Sequence, residues 1–229
     1  MCFSPGADLV AGVVVAAIGV DACLHVDRRR EYWMIAPLPL LLGVHQVIEA
    51  FVWWGIDGRV PRAVGTVAMW AYLLVALVLL PTMVPAMVLR LEPRGRQRSL
   101  VAAFVGLGVV VSLVLLGTML AGHPSVAMGS DHLAYSIGLS HGVFWVGCYV
   151  VAICGALIAS SMRSVRWFGV ANLVAIPILA RLCAEGFTSL WCFYAASLSA
   201  AVAIHLRITG RAGRRSALEV PGARSPSLG

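Results

Sequence analysis

The residues of this chain with the clearest capacity for chemistry lie three and four positions apart on one apolar segment. His45, Glu49 and Trp53 recur at every fourth position, and Gln46 precedes Glu49 by three. If the segment is a helix, this spacing places the four side chains along one side. An imidazole, a carboxamide and a carboxylate held together could bind a polar solute, relay a proton or supply part of a metal site.

Long apolar runs are the elements that must position these groups. The chain of 229 residues is 60% hydrophobic and only 12% charged, which leaves too little polar surface for a water-soluble domain. Seven runs reach the roughly 20 residues that cross about 30 Å of hydrocarbon, and none alternates as a strand does. They lie at about residues 7–26, 34–55, 64–89, 99–121, 132–160, 167–185 and 187–206. The sequence therefore predicts an all-α, seven-transmembrane helix bundle within residues 1–208.

The arginines orient this bundle. All seventeen basic residues are arginine, and fourteen of them lie in alternate gaps between the runs or in the tail. The intervening gaps hold only Arg59 and Arg62. The positive-inside rule then predicts an N-terminus outside and a C-terminus in the cytoplasm. Residues 209–229, rich in Gly, Ser, Pro and Arg, are predicted to be a disordered basic cytoplasmic tail.

The formal charge of +7 follows from this arrangement. We interpret it as an orientation signal with attraction to anionic lipid headgroups, and not as a nucleic-acid site. The lipid bilayer is thus the expected partner, and further subunits stay open. The absence of lysine excludes a retinal Schiff base.

Glu49 and Arg181 are charged side chains that fall well inside predicted spans. An ionisable group there costs at least about 2.5 kcal/mol on insertion scales, so Glu49 and Arg181 should face the bundle interior, a water pocket or each other. We expect an outward-facing polar pocket for an unknown small molecule. A purely structural Glu49–Arg181 pair, or an Arg181–Glu185 pair, is the alternative. The predicted ligand-binding residues are His45, Gln46, Glu49, Tyr135, Arg181 and Trp191.

A metal or heme group is a further hypothesis. His45 and His141 both fall near the middle of their predicted spans, so the two imidazoles could meet. With Glu49 or Cys2 they could hold a transition metal, or the two histidines a heme. The chain contains no His-x-x-x-His, Cys-x-x-Cys or His-Glu-x-x-His spacing, so a cofactor is not the favoured interpretation and its identity stays unknown.

Three cysteines map to the outer half of the predicted bundle: Cys2, Cys183 and Cys192. In an oxidising exterior a disulfide from Cys2 to Cys192 or Cys183 is possible chemistry. Unpaired packing, and metal or redox chemistry at Cys2, are the alternatives.

Several motifs resemble those of one family. The start Met1-Cys2-Phe3-Ser4, the segment Gln46-x-x-Glu49-x-x-x-Trp53, the pair Glu92-Pro93 and the late segment 189–193 (SLWCF) are similar to a family of uncharacterised, mainly actinobacterial membrane proteins. The likeness covers nearly the whole chain. It implies a multi-pass protein of the bacterial plasma membrane, and it supplies no reaction, ligand or catalytic residue.

Three function classes follow from these observations. The first is a protein that binds or transports a small polar solute or a proton through the pocket. The second is an intramembrane metal- or heme-dependent enzyme acting on a lipid or quinone. The third is a structural accessory subunit, for which the fourth predicted span, with Gly106 and Gly108 and no charge, is the best contact helix.

Overall fold

The computed structural model describes residues 4–25, 36–129 and 133–182, and six positions between 194 and 204. Cys2, Trp191 and Cys192, which the sequence singled out, lie outside these residues. The described chain is mostly helical. Its helices are α1 (Pro5–His25), α2 (Pro37–Ile56), α3 (Arg62–Leu73), α4 (Leu80–Leu91), α5 (Arg96–Ala121), α6 (Gly142–Ile158) and α7 (Arg163–Leu182).

Four helical stretches of the described residues are long and apolar enough to cross a membrane. They are Pro5–Leu24, Pro37–Ile56, Arg62–Leu91 and Arg96–Ala121, and the shorter Gly142–Ile158 is also apolar. Large apolar side chains such as Val67, Leu113 and Leu120 are more than 60% exposed on their outer faces. Exposed apolar side chains of this kind suit contact with lipid. The chain is therefore a mostly helical membrane protein, with four candidate spans among the residues that the structure describes.

The structure corrects the prediction that no strand is present. Strands β1 (Ser125–Met128) and β2 (Leu133–Ser136) pair antiparallel, with Val126 opposite Tyr135. The predicted span at 132–160 is therefore helical only from Gly142. Four-residue strands are too short to establish an alternating pattern in the sequence. The hairpin occupies the end of the bundle where α2 ends and α3 begins, which we call the hairpin end.

The third candidate span is irregular at its centre. Residues Leu74–Leu79 form a π-helical segment between α3 and α4. Pro81 and Pro85 follow it and lack the amide hydrogens that would bond to the preceding turn. Hydroxyl groups of neighbouring helices donate hydrogen bonds to carbonyls of the π-helical segment. Tyr149 donates to the carbonyl of Ala76 (2.8 Å), and Ser112 donates to that of Val78 (2.6 Å).

Glycines let α1 and α3 approach α2 closely. A Cβ built on Gly12 of α1 would lie 2.8 Å from the backbone oxygen of Gly43 in α2. On the other side of α2, a Cβ on Gly55 would lie 2.5 Å from the Cα atom of Gly65 in α3. Contact through small residues is the usual basis of close helix packing in membranes. The segments α1, α2 and α3 are thereby brought together around the face that carries His45 and Glu49.

The opposite end of the bundle is closed by a second polar contact, the Glu92 clasp. Glu92, at the end of α4, is 3% exposed, and its carboxylate accepts hydrogen bonds from the hydroxyls of Ser160 and Ser161 (2.6 Å each) and from the Ser161 amide (2.8 Å). Arg166 donates to the Ser160 carbonyl. Burial raises the pKa of Glu92, but these hydrogen bonds and the Arg166 charge outweigh it, so the pKa lies below its ordinary value. The clasp joins the α4–α5 turn to the α6–α7 turn.

Candidate functional site

Polar side chains gather inside the bundle near the hairpin end, in what we call the polar cluster. Five of its members are at most 1% exposed, although their surroundings are apolar. The cluster draws on four separate elements, α1, α2, α3 and β2. Its members are Asp8, His45, Gln46, Glu49, Trp53, Tyr72 and Tyr135.

The face predicted on the second apolar run is the centre of the cluster. His45, Gln46, Glu49 and Trp53 are all buried on α2. This follows from their spacing, because positions three and four apart lie on one side of a helix. The N-terminal prolines at Pro37 and Pro39 start the helix without losing a hydrogen bond, and no charged residue interrupts it before Glu49.

Three aromatic rings form a column through the cluster. The His45 imidazole stacks on the Tyr72 ring with centroids 4.1 Å apart, and Tyr72 stacks on Tyr135 at 4.7 Å. Both pairs are within 13° of parallel. The Tyr135 hydroxyl then donates to Oε1 of Glu49 at 3.3 Å. The His45 imidazole and the Glu49 carboxylate, both on α2, are thus connected through the rings of Tyr72 and Tyr135 as well as through the helix itself.

Asp8 enters the cluster from the first turn of α1. Ser4 caps the start of this helix, and both its carbonyl and its hydroxyl accept from the Ala7 amide. Asp8 is fully buried, and its Oδ2 accepts a hydrogen bond of 3.0 Å from Nε1 of Trp53.

Several buried polar atoms of the cluster have no hydrogen-bond partner within the described part of the chain. They are both ring nitrogens of His45, both amide atoms of Gln46 and Oδ1 of Asp8. An amide or hydroxyl moved from water to an apolar environment without a partner costs about 1–3 kcal/mol by protein mutation and more in hydrocarbon. Native buried polar groups are nearly always satisfied, so water or a bound molecule is the expected partner here.

Other predicted site residues do not join this cluster. Arg181 lies in the last turn of α7 with an exposed side chain, so it does not face the interior or form the predicted buried pair with Glu49. His141 was expected near the middle of a span. It lies instead at the start of α6 in a left-handed conformation (φ 56°), with an exposed side chain.

The described residues do not assemble the proposed metal site. No three His, Cys, Asp or Glu side chains among them are arranged to hold a metal ion. His45 and Glu49 are present as a pair on α2, but His141 is at the surface. Cys2 and the predicted disulfide to Cys192 lie outside the described residues.

The sequence patterns did not indicate two members of the cluster, Asp8 and Tyr72, and they placed Trp53 on the shared face of α2 without its partner. A signal was available for Tyr72, because it is the one tyrosine of the third apolar run and a buried tyrosine hydroxyl needs a partner. Nothing in the local pattern indicated that Asp8 and Trp53 would meet.

Comparison with known proteins gives a family but no activity. Searches of curated proteins and of solved structures find no match to the chain. A family model described as a family of unknown function (DUF6629) matches residues 1–218. The resemblance seen in the sequence motifs, to an uncharacterised family, is thereby confirmed. Because the match extends over nearly all of the 229 residues, the chain belongs to this family of unknown function.

Proposed function

We propose that this protein binds a small polar solute or a proton at the polar cluster and carries it across the membrane. In this proposal the chain has seven spans, with the N-terminus outside and the C-terminus in the cytoplasm of a bacterial cell. The hairpin end then faces outward, because the arginine-rich turns at 90–98 and 163–166 lie at the opposite end. The site opens to the outer side.

The observation that carries the proposal is the complete burial of His45 and Gln46 without hydrogen-bond partners among the described residues. These side chains are 1% and 0% exposed, and four of their nitrogen and oxygen atoms are unsatisfied. A merely structural cluster would be expected to satisfy its own groups, since a half-satisfied network is less stable than an apolar core. A site that exchanges its ligand must leave such groups available.

The chemistry of the cluster supports a transport role. Ionisable residues within spans are expensive and commonly mark proton and solute paths. Glu49 and Asp8 provide carboxylates, and His45 provides a group that can accept and donate a proton. The Tyr135 hydroxyl on Glu49 (3.3 Å) supplies a possible proton connection between the hairpin and α2.

Flux measurements in liposomes test the proposal. Purified protein is reconstituted, and proton entry is followed with an enclosed pH-sensitive dye under an imposed membrane potential. Swelling in isosmotic glycerol, urea or methylammonium chloride is followed by light scattering. We expect one of these fluxes to exceed that of empty liposomes and to be abolished by Glu49→Gln.

The matched control is Asp57→Asn, which neutralises a carboxylate in the turn after α2, beside Arg59 (3.9 Å). It should leave the flux unchanged. Equal flux in Glu49→Gln and the unaltered protein, or no flux in either, would refute the proposal. Reporter fusions at the turns 57–61 and 92–95 test the orientation, because the two turns should report opposite sides of the membrane.

A further inference from the structure

We infer that a groove between the beginning of α2 and α4 binds one anionic phospholipid, with the phosphate at Arg90 and an acyl chain along the groove. The lining of this groove shares no residue with the polar cluster. The inference therefore goes beyond the proposed function and does not depend on transport. It follows from the space between the helices, from the lining and from the length of the groove.

Helix packing leaves the groove on the outside of the bundle. α2 packs mainly on α1 and α3, whereas α4 packs mainly on α5 and α6. The beginning of α2 does not close against α4, and a space of about 460 Å³ remains between them. Sites for small molecules typically have about 300–1,000 Å³. Because Pro37, Leu79 and Arg90 at the rim are exposed, the groove opens toward the surroundings of the bundle.

The lining is apolar except at one end. Leu79, Met83, Met87 and Arg90 follow one another at spacings of three and four residues, which places them along one side of the third candidate span. Leu41 of α2 contributes to the opposite wall. The two methionines and Leu41 pack against the buried apolar core, so the floor of the groove is held in place. This lining fits a molecule with an apolar chain and a single polar end.

The charge at the polar end selects an anion. Within the described part of the chain, Arg90 makes no hydrogen bond or ion pair. The nearest carboxylate in the sequence, Glu92, is occupied by the serines at 160–161. Arg94 and Arg96 are exposed in the same turn, and they add to the attraction for anionic headgroups. A guanidinium binds a phosphate through two parallel hydrogen bonds, so a phosphate is the expected partner of Arg90.

The length of the groove matches one leaflet of a membrane. Leu79 precedes Arg90 by eleven positions, which is about 16 Å along a helix. Half of the hydrocarbon thickness of a bilayer is about 15 Å. In the orientation proposed above, Arg90 lies at the cytoplasmic interface and Leu79 near the midplane. An acyl chain of the inner leaflet spans this distance, whereas a free phosphate leaves the apolar part empty.

The headgroup decides which lipid is preferred. An acyl chain in an apolar groove has surroundings as apolar as those among other lipid tails, so the chain alone gives little preference. One arginine near a membrane surface favours an anionic lipid over a zwitterionic one by about fivefold. The groove should therefore distinguish phospholipids by charge.

Native mass spectrometry of the full-length protein provides the test. The protein is purified in a mild detergent and titrated separately with phosphatidylglycerol, phosphatidylcholine, menaquinone and glycerol phosphate. We expect one phosphatidylglycerol to bind saturably, about fivefold more tightly than phosphatidylcholine. Glycerol phosphate, which lacks the chains, and menaquinone, which lacks the charge, should not bind saturably.

Charge substitutions separate the groove from general attraction to the basic turn. Arg90→Gln should remove the preference for phosphatidylglycerol. Arg94→Gln makes the same change of charge in the same turn, but Arg94 does not line the groove, so the preference should remain. Arg90→Lys should keep part of it, because the charge is retained while the two-pronged geometry is lost. Each variant is first required to retain the elution profile and melting temperature of the unaltered protein.

A second pair of variants tests the apolar part. Ala86 lines the groove between the two methionines, so Ala86→Trp should fill it and weaken the binding of both phospholipids by about tenfold or more. Ala102→Trp is the matched control, because Ala102 is exposed on α5 and is not part of the lining. It should bind as the unaltered protein does.

Several results would overturn the inference. Equal losses in Arg90→Gln and Arg94→Gln would show attraction to the whole basic turn and no defined site. Equal binding of the two phospholipids, preferred binding of menaquinone, or binding of glycerol phosphate as tight as that of the phospholipid would exclude the proposed ligand. Absence of saturable lipid binding would show that the groove is closed or filled in the folded protein. The flux assay is independent of these results, so its failure would refute the proposed function alone.

Discussion

Replacing Gly108 with alanine should separate two helices that the structure holds in backbone contact. A Cβ atom built on Gly108 of α5 would lie 1.9 Å from the carbonyl oxygen of Pro81 and 2.8 Å from its carbon. Ordinary van der Waals contact begins at 3.4 Å. The start of α4 would therefore have to retreat by about 1.5 Å, the difference between 3.4 and 1.9 Å, because a backbone carbonyl cannot rotate away as a side chain can.

The retreat would break neighbouring hydrogen bonds. Ser112, one turn along α5, contacts the Thr82 hydroxyl at 2.8 Å and donates to the Val78 carbonyl at 2.6 Å. Added separation of this size would take both distances beyond hydrogen-bond range. Overpacking costs about 1–3 kcal/mol and each of the two lost hydrogen bonds about 1 kcal/mol. Against these stands a gain of about 1 kcal/mol in helix propensity, so we expect a net loss of about 2–4 kcal/mol.

The same helix offers a matched control. A Cβ on Gly106 would meet nothing within 4 Å, so Gly106→Ala should leave stability unchanged or raise it by up to about 1 kcal/mol. The free energy of unfolding of both variants is measured by denaturant titration in mixed micelles. If Gly108→Ala proves as stable as Gly106→Ala, the close contact between α4 and α5 is wrong.

Three further predictions concern the polar contacts. Glu92→Ala should reduce the free energy of unfolding by about 2 kcal/mol or more, because it leaves the buried donors at 160–161 without their acceptor. The pKa of Glu92 is lowered in the folded protein, so its contribution to the free energy of unfolding is present above the ordinary value of 4.5 and is lost as pH falls through the lower folded value. The free energies of unfolding of the unaltered protein and of Glu92→Ala, measured between pH 3 and 7, should therefore converge at acid pH. A constant difference between the two proteins over this range would contradict the prediction. Tyr149→Phe should cost about 1–3 kcal/mol in the same micelle assay, because the carbonyl of Ala76 in the π-helical segment loses its donor; an unchanged midpoint would show that this carbonyl is satisfied in another way. Tyr135→Phe keeps the ring stack but removes the hydroxyl on the buried carboxylate, so it should lower the flux while changing stability by no more than about 1 kcal/mol; full flux would exclude the hydroxyl from the path.

Local sequence patterns predicted the helical character of the chain and one face of the site, but not the β-hairpin. The apolar runs indicated helices, because helix propensity and hydrophobicity are local properties of a segment. The spacing of His45, Gln46 and Glu49 placed them together because the helical period is about 3.6 residues. These inferences needed no knowledge of the neighbouring helices. Membership of an uncharacterised family was equally visible in the motifs.

Tertiary structure decided which groups meet. Asp8 and Trp53 are 45 positions apart, and Glu49 and Tyr135 are 86 apart, so no local period could pair them. The backbone contacts at Gly12 and Gly55 set which faces of α1 and α3 lie against α2, and thereby include Asp8 and Tyr72. The hairpin brings in Tyr135 and leaves His141 at the surface. Sequence alone thus determined the chemistry available on each helix, whereas the packing of distant segments determined the site, because contacts between faces depend on how helices cross.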